Sequence, residues 1–170
     1  FTAPRPLAYD KEAGTLELEL IERIVPLADV LPRLRGMDAM SLANRVGGVL
    51  AVLHGSWGLP ETTTMADADI FHGLEPAGEL VLAHGDYGLG NVCCIGGDVG
   101  RLVILDPEPA PFLDMSATVI TRPELDIALF ASCLEGIFPY QFYWRYDWKG
   151  IPVVREELIK GYVDESGRAI

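Results

Sequence analysis

The chain has 170 residues, 49% of them apolar, and a formal net charge of −12. Such length and hydrophobicity fit one compact domain or a large piece of a two-lobed one, and they exclude a disordered chain. The acidity argues against nucleic acid as a partner, because phosphate contacts need clustered Lys and Arg; it is compatible with a cationic substrate, and equally with charge that only maintains solubility.

The opening residues FTAPRPLAYDKE carry no basic region followed by an apolar stretch, so no signal peptide is expected. They also lack an initiator methionine, which suggests a processed, trimmed or incomplete product. Residues 6–22 read as a hairpin: PLAYD is one arm, KEAG the turn and TLELELIE the other arm. Leu16, Leu18 and Leu20 alternate with Glu17, Glu19 and Ile21, the period of a half-buried strand. Pro26 and Pro32 then interrupt the pattern. Residues 41–54, SLANRVGGVLAVLH, read as a helix with Leu42, Val46, Val49, Leu50 and Leu53 on one face, Ser41 as its cap and Gly55 as its stop. Within it Gly47 and Gly48 either weaken the helix or let another backbone approach closely. Residues 55–78 read as loop, with room for a short helix after Thr62–Thr64.

ELVLAH, NVCCI and RLVIL are three short apolar runs, the last two joined by the turn sequence GGDVG. Residues 91–105 should therefore form a tight antiparallel hairpin. Cys93 and Cys94, adjacent on a strand, would point to opposite faces and pack as small apolar side chains. With Cys133 they make no disulfide framework, which suits a reducing cytoplasm. DPEPAP cannot continue a strand. From Pro123 onward the chain reads mainly as helices, with ELDIALFASCLEGIF and VVREELIKGYV the clearest. No apolar run approaches the roughly 18 residues a membrane helix needs, so no membrane partner is expected.

If residues 91–95 pair with 101–105, Asn91 and Asp106 sit side by side at one end of the hairpin, and Asp86 lies on the loop just before it. One amide oxygen and two carboxylates would then converge. Oxygen ligands of this kind suit Mg²⁺ shared with substrate phosphates. A carboxylate off the metal could accept a proton from an attacking hydroxyl. Taken singly, each of the three is better read as a turn cap or strand end; the three together on a strand–loop–hairpin frame favour chemistry, in the pattern of kinase-type phosphoryl transfer.

HGDYGLGN followed by VILDPEP resembles the catalytic and metal loops of the aminoglycoside phosphotransferase family, relatives of choline kinases and protein kinases. Gly85, where protein kinases have arginine, and D-P-E, where they have D-F-G, favour the small-molecule branch. TLELELIERI, SLANRVGGVLAVLHG, ELDIALF and EELIKGYVDESG resemble flanking segments of that family in order, so the likeness spans most of residues 6–167. It implies an α+β, protein-kinase-like fold: residues 1–25 the last strands of a truncated N-terminal lobe and its hinge, residues 26–170 a mostly helical C-terminal lobe carrying the catalytic hairpin. It implies Asp86 as the catalytic aspartate, Asn91 and Asp106 as holders of Mg²⁺, and backbone groups of Glu22 and Ile24 against the adenine of ATP or GTP. His84 would hold the loop, and Asp126 would brace it or simply cap a helix. The acceptor would be a hydroxyl of a small molecule, with a cationic aminoglycoside the leading expectation.

Half of the expected machinery is not in the sequence. The lysines are Lys11, Lys149 and Lys160, none on a strand ahead of the motif, and no glycine-rich phosphate loop occurs. A fragment of a longer enzyme, a degenerate relative that binds without catalysing, and a lobe supplied by a second chain all fit; the fragment is preferred. An open strand edge at residues 6–22 would also invite a homodimer. A histidine-rich hydrolytic metal site built from His54, Asp67, Asp69, His72 and His84 is the weaker alternative. The aromatic run PYQFYWRYDW at 139–148 reads as core or interface before pocket. The acidic residues Glu108, Asp114, Glu124, Glu135 and Asp147 are either an attraction for a polycation or a solvated face.

Overall fold

The apolar runs around GGDVG pair as antiparallel strands in a computed structural model that describes residues 1–34, 36–58, 80–106, 119–134 and 151–168. Strands β5 (Val92–Ile95) and β6 (Asp98–Ile104) meet at Gly96 and Gly97, both with positive φ, 64° and 80°. Two successive left-handed residues make the hairpin turn whose twist matches the strands, and glycine adopts it without strain. The turn is shorter than the five residues GGDVG. Asp98, Val99 and Gly100 belong to β6, accommodated by a register shift between Cys94 and Ile95. Cys93 and Cys94 are both buried.

Strand β3 (Ile24–Pro26) adds to this hairpin, with Ile24 opposite Ile95 and Pro26 opposite Cys93. The order is β3–β5–β6, and Pro26 is tolerated because β3 is an outer strand. Thr2 covers β6 on the other side, donating its N–H to Leu102 O and accepting from Ile104 N–H, each at 3.0 Å. A second, two-stranded sheet joins β4 (Val81–Ala83) to β7 (Val119–Thr121).

The first hairpin forms as expected, as β1 (Pro6–Asp10) and β2 (Thr15–Leu18), but its second arm stops at Leu18 rather than Glu22. Half burial is not met either: Leu7, Tyr9, Leu16 and Leu18 are exposed. The alternation specifies the strand, but a two-stranded ribbon has no layer of its own to bury one face.

Four α-helices are described: α1 (Leu27–Val30), continued by a 3₁₀ turn over Leu31–Arg33, α2 (Met37–Ser56), α3 (Glu124–Leu134) and α4 (Ile151–Ser166). Helix α2 starts one turn before Ser41, after Gly36 at φ 52°, and runs through Gly55 to Trp57 as its C-cap. Its expected apolar face is correct, since Leu42, Val46, Val49, Leu50 and Leu53 are all buried. They enter one core with Ile127, Phe130 and Leu134 of α3, Val154, Leu158 and Tyr162 of α4, and Val92, Leu102 and Ile104 of the hairpin.

Helices α2 and α4 cross at glycines. A Cβ on Gly47 would overlap the Leu158 carbonyl oxygen, and one on Gly161 would overlap the Asn44 carbonyl oxygen. Gly47 thus permits close approach rather than weakening the helix, while Gly48 has ordinary space around it. The architecture is α+β with small antiparallel sheets against helices. Among the described residues no helix is long and apolar enough to cross a membrane. The expected loop over most of 55–78 and the aromatic run 139–148 lie outside the described residues, as do Asp67, Asp69, His72, Glu108, Asp114, Glu135 and Asp147.

Candidate active site

Strand β4 ends at Ala83, and the loop 84–91 that follows is fixed from several directions. The Asp126 carboxylate, fully buried early in α3, accepts the His84 N–H at 2.7 Å on Oδ2 and the Gly85 N–H at 2.9 Å on Oδ1. Gly85 takes φ 85°, which turns the chain so that both amides face that carboxylate. Tyr87, also fully buried, donates its hydroxyl to Val46 O of α2 at 2.9 Å and packs edgewise against His84. Leu89 O accepts the Ala28 N–H at 3.1 Å. Burial pushes the Tyr87 phenol well above its ordinary value, so it stays protonated as a donor.

The His84 ring bridges the loop and the hairpin. Its Nε2–H donates to Leu105 O at 2.8 Å, while Nδ1 accepts the Asp86 N–H at 3.3 Å. This pattern requires the neutral, Nε2-protonated imidazole. Burial lowers its pKa below the ordinary value, opposed by Asp126, Leu105 O, Asp86 and Asp106 in that order.

Register then brings Asn91 and Asp106 to one end of the sheet. Val92 pairs with Ile104, and the Leu105 N–H donates to Asn91 O at 2.9 Å, so Asp106 follows directly beside Asn91. Asn91 Nδ2 donates to Asp86 O at 3.0 Å and to Asp86 Oδ2 at 2.9 Å. Both acceptors are oxygens without a proton, so the amide can face Asp86 only through its nitrogen. Its Oδ1 is thereby turned away from these two oxygens and is left as an acceptor. Asp106, exposed, has φ 45°, a left-handed conformation that aspartate tolerates better than most residues. Such outliers cluster at functional sites.

This donor set fits a hard divalent cation: one amide oxygen and an exposed carboxylate at the same end, with a second carboxylate beside them. Among the described residues no group of three or more His, Cys, Asp or Glu is placed to hold a metal, so the candidate set rests on an asparagine. The thiols are not obvious partners. Burial pushes Cys93 up to about 11, with Cys94 and Asp106 adding to it.

Glu22 and Ile24 do not join this cluster. Ile24 pairs with Ile95 at the turn end of β5, and the Gly96 N–H donates to Arg23 O at 2.7 Å. That end lies about 13 Å from Asn91 at the usual strand rise. The two positions thus flank opposite ends of one sheet. Lys11 is in the exposed turn between β1 and β2, and Lys160 lies 3.8 Å from Glu157 on α4.

Three contributors escaped the reading of the sequence as site residues. His54, read from the sequence only as a member of the weaker hydrolytic metal site, donates Nε2–H to Asp126 Oδ2 at 2.9 Å. Its Nδ1 lies 2.9 Å from the Tyr162 hydroxyl. Tyr87 carried one usable signal, a large aromatic ring inside an otherwise small and polar loop. Compared with models of known protein families and with characterised proteins, the chain matches none.

Proposed function

We propose that the chain is the catalytic part of a protein-kinase-like phosphotransferase that moves the terminal phosphoryl group of ATP or GTP to a hydroxyl of a small molecule. What carries the reading is the contact between Asn91 and Asp86, with Asp106 at the same end of the hairpin. The order H-G-D-x-x-x-x-N, hairpin, apolar strand, aspartate is that of the aminoglycoside phosphotransferases. Together with the acidity, it makes a cationic, polyhydroxylated acceptor the leading substrate class.

In this reading Asp86 orients the acceptor hydroxyl and takes its proton as the oxygen attacks the terminal phosphorus. The bond from that phosphorus to the bridging oxygen breaks, and the nucleoside diphosphate leaves. Such transfer depends mainly on placement and charge neutralisation. Asn91 Oδ1 and Asp106 would hold Mg²⁺, which when bound neutralises phosphate charge. The Asn91 amide keeps the Asp86 carboxylate facing the acceptor. Glu22 and Ile24, at the far end of the sheet, would meet the base of an extended nucleotide with backbone groups.

Titration calorimetry of this chain with ATP and GTP tests the binding half: Mg²⁺-dependent affinity is expected, and its loss in Asp106→Ala. In the protein that carries the chain, Asp86→Ala should lower transfer to a panel of hydroxyl acceptors by roughly 10²–10⁴-fold. Unchanged transfer in Asp86→Ala would remove it from the chemistry. A second reading, a module that binds without transferring, is favoured by the lysines, since Lys11 lies in the exposed turn between β1 and β2 and Lys160 beside Glu157 on α4. Nucleotide binding without transfer to any acceptor would decide for it.

A further inference from the structure

Helix α4 reaches the 84–91 loop through a directed series of hydrogen bonds. Asp126 can only accept, so His54 must present a proton on Nε2, 2.9 Å from Oδ2. With that proton on Nε2, Nδ1 is the nitrogen that can accept, and the Tyr162 hydroxyl is 2.9 Å away. The hydroxyl faces Nδ1, so its proton is directed at that nitrogen when the ring carries its own proton on Nε2. The line runs from the Tyr162 hydroxyl through the His54 ring to the Asp126 carboxylate, and from there to the His84 and Gly85 amides. Tyr162, His54 and Asp126 are all buried, so water does not substitute. The Gly47–Gly161 crossing allows α4 to come near enough to α2 for the hydroxyl to reach the ring.

We propose that Tyr162 is a positioning residue for the 84–91 loop: its hydroxyl fixes the His54 proton on Nε2, which orients Asp126 to hold the His84 and Gly85 amides. Tyr162 touches no reacting atom. It acts through two intermediates, and it ties the geometry of Asp86 to the seating of the last described helix. The inference rests on the proposed phosphotransfer only for its kinetic consequence; the hydrogen-bond order stands or falls separately.

Nitrogen NMR of the imidazoles and amide exchange test it on this chain. Wild type should show His54 protonated on Nε2, and a ring protonated on Nδ1 overturns the proposal whether or not any variant folds. Tyr162→Phe removes only the hydroxyl. It should speed exchange at the His84 and Gly85 amides by roughly tenfold or more, the scale of leaving a buried acceptor unpaired. Val103 and Leu102 amides in the hairpin should be unchanged. A uniform acceleration across the core would mean a merely structural role and overturn it; so would no change at His84 and Gly85. In the transferring protein, Tyr162→Phe should lower kcat with KM for nucleotide unchanged. Loss of the exchange signature refutes the positioning role; absence of transfer in wild type refutes the phosphotransfer reading instead.

Discussion

Replacing Asp126 by asparagine changes no shape and removes one charge and one acceptor, which makes it the cleanest probe of what holds the loop. The carboxylate receives three donors: His84 N–H and His54 Nε2–H on Oδ2, and Gly85 N–H on Oδ1. An amide has one oxygen. Placed at Oδ2 it keeps two of the three and sets its own NH₂ against the Gly85 N–H. The two surviving bonds fall from charge-assisted to neutral strength, a loss of about 1 kcal/mol each, and the abandoned amide costs about 1–3 kcal/mol. Relief of carboxylate desolvation offsets part of this, leaving a net destabilisation of about 2–4 kcal/mol. Urea unfolding followed by circular dichroism should show a lower midpoint with an unchanged slope. Stability within about 0.5 kcal/mol of wild type would refute the argument, because three donors would then be satisfied without the charge.

Gly161→Ala should separate α2 from α4 and cost about 3 kcal/mol or more, since the added carbon meets Asn44 backbone atoms rather than a flexible side chain. Gly55→Ala, with open space around it inside α2, should instead be neutral or stabilise by up to about 1 kcal/mol in the same assay. Burial holds the folded His84 ring below its ordinary value of 6.5, so the unfolded chain takes the proton first. Its contribution is complete above that value and is lost as pH falls from it toward the folded value, at up to about 1.4 kcal/mol per pH unit. Denaturation near pH 7.5 and 5.5 should therefore show a shallower loss in His84→Gln than in wild type. Asp106→Gly should abolish Mg²⁺-dependent nucleotide binding yet hold stability within about 1 kcal/mol, because relief of the positive φ offsets the added freedom of the unfolded chain.

Local signals located most of the frame. Glycines at 96 and 97 specify a turn that only glycine makes freely, and that turn sets the register placing Asn91 opposite Leu105. The 3.6-residue spacing of Leu42, Val46, Leu50 and Leu53 revealed the buried face of α2. Its start was missed because the first turn is solvent-facing: Met37 is 82% exposed, and no apolar periodicity marks it. Ser41 has the chemistry of a cap but lies one turn inside. The exposed leucines of β1 and β2 fail for the complementary reason. Alternation records which residues share a face, not whether anything covers it.

Long-range order was the illegible part, and the site depends on it. His54 lies 72 residues from Asp126 and 108 from Tyr162, separations at which no local pattern speaks. The same holds for the peptide before Asp106. Leu105 gives its N–H to Asn91 O and its carbonyl to His84 Nε2, so both of its hydrogen-bonding groups are committed. A chain pinned on both sides of that residue can leave the sheet only by an abrupt change at the next one. The left-handed φ of Asp106 is that change. Its strain is therefore a consequence of the hairpin and the 84–91 loop being locked together, at the end of the hairpin that holds Asn91. The exposed aspartate and the buried hydrogen-bonded line behind it are two parts of one constraint, the first readable from spacing and the second only from the fold.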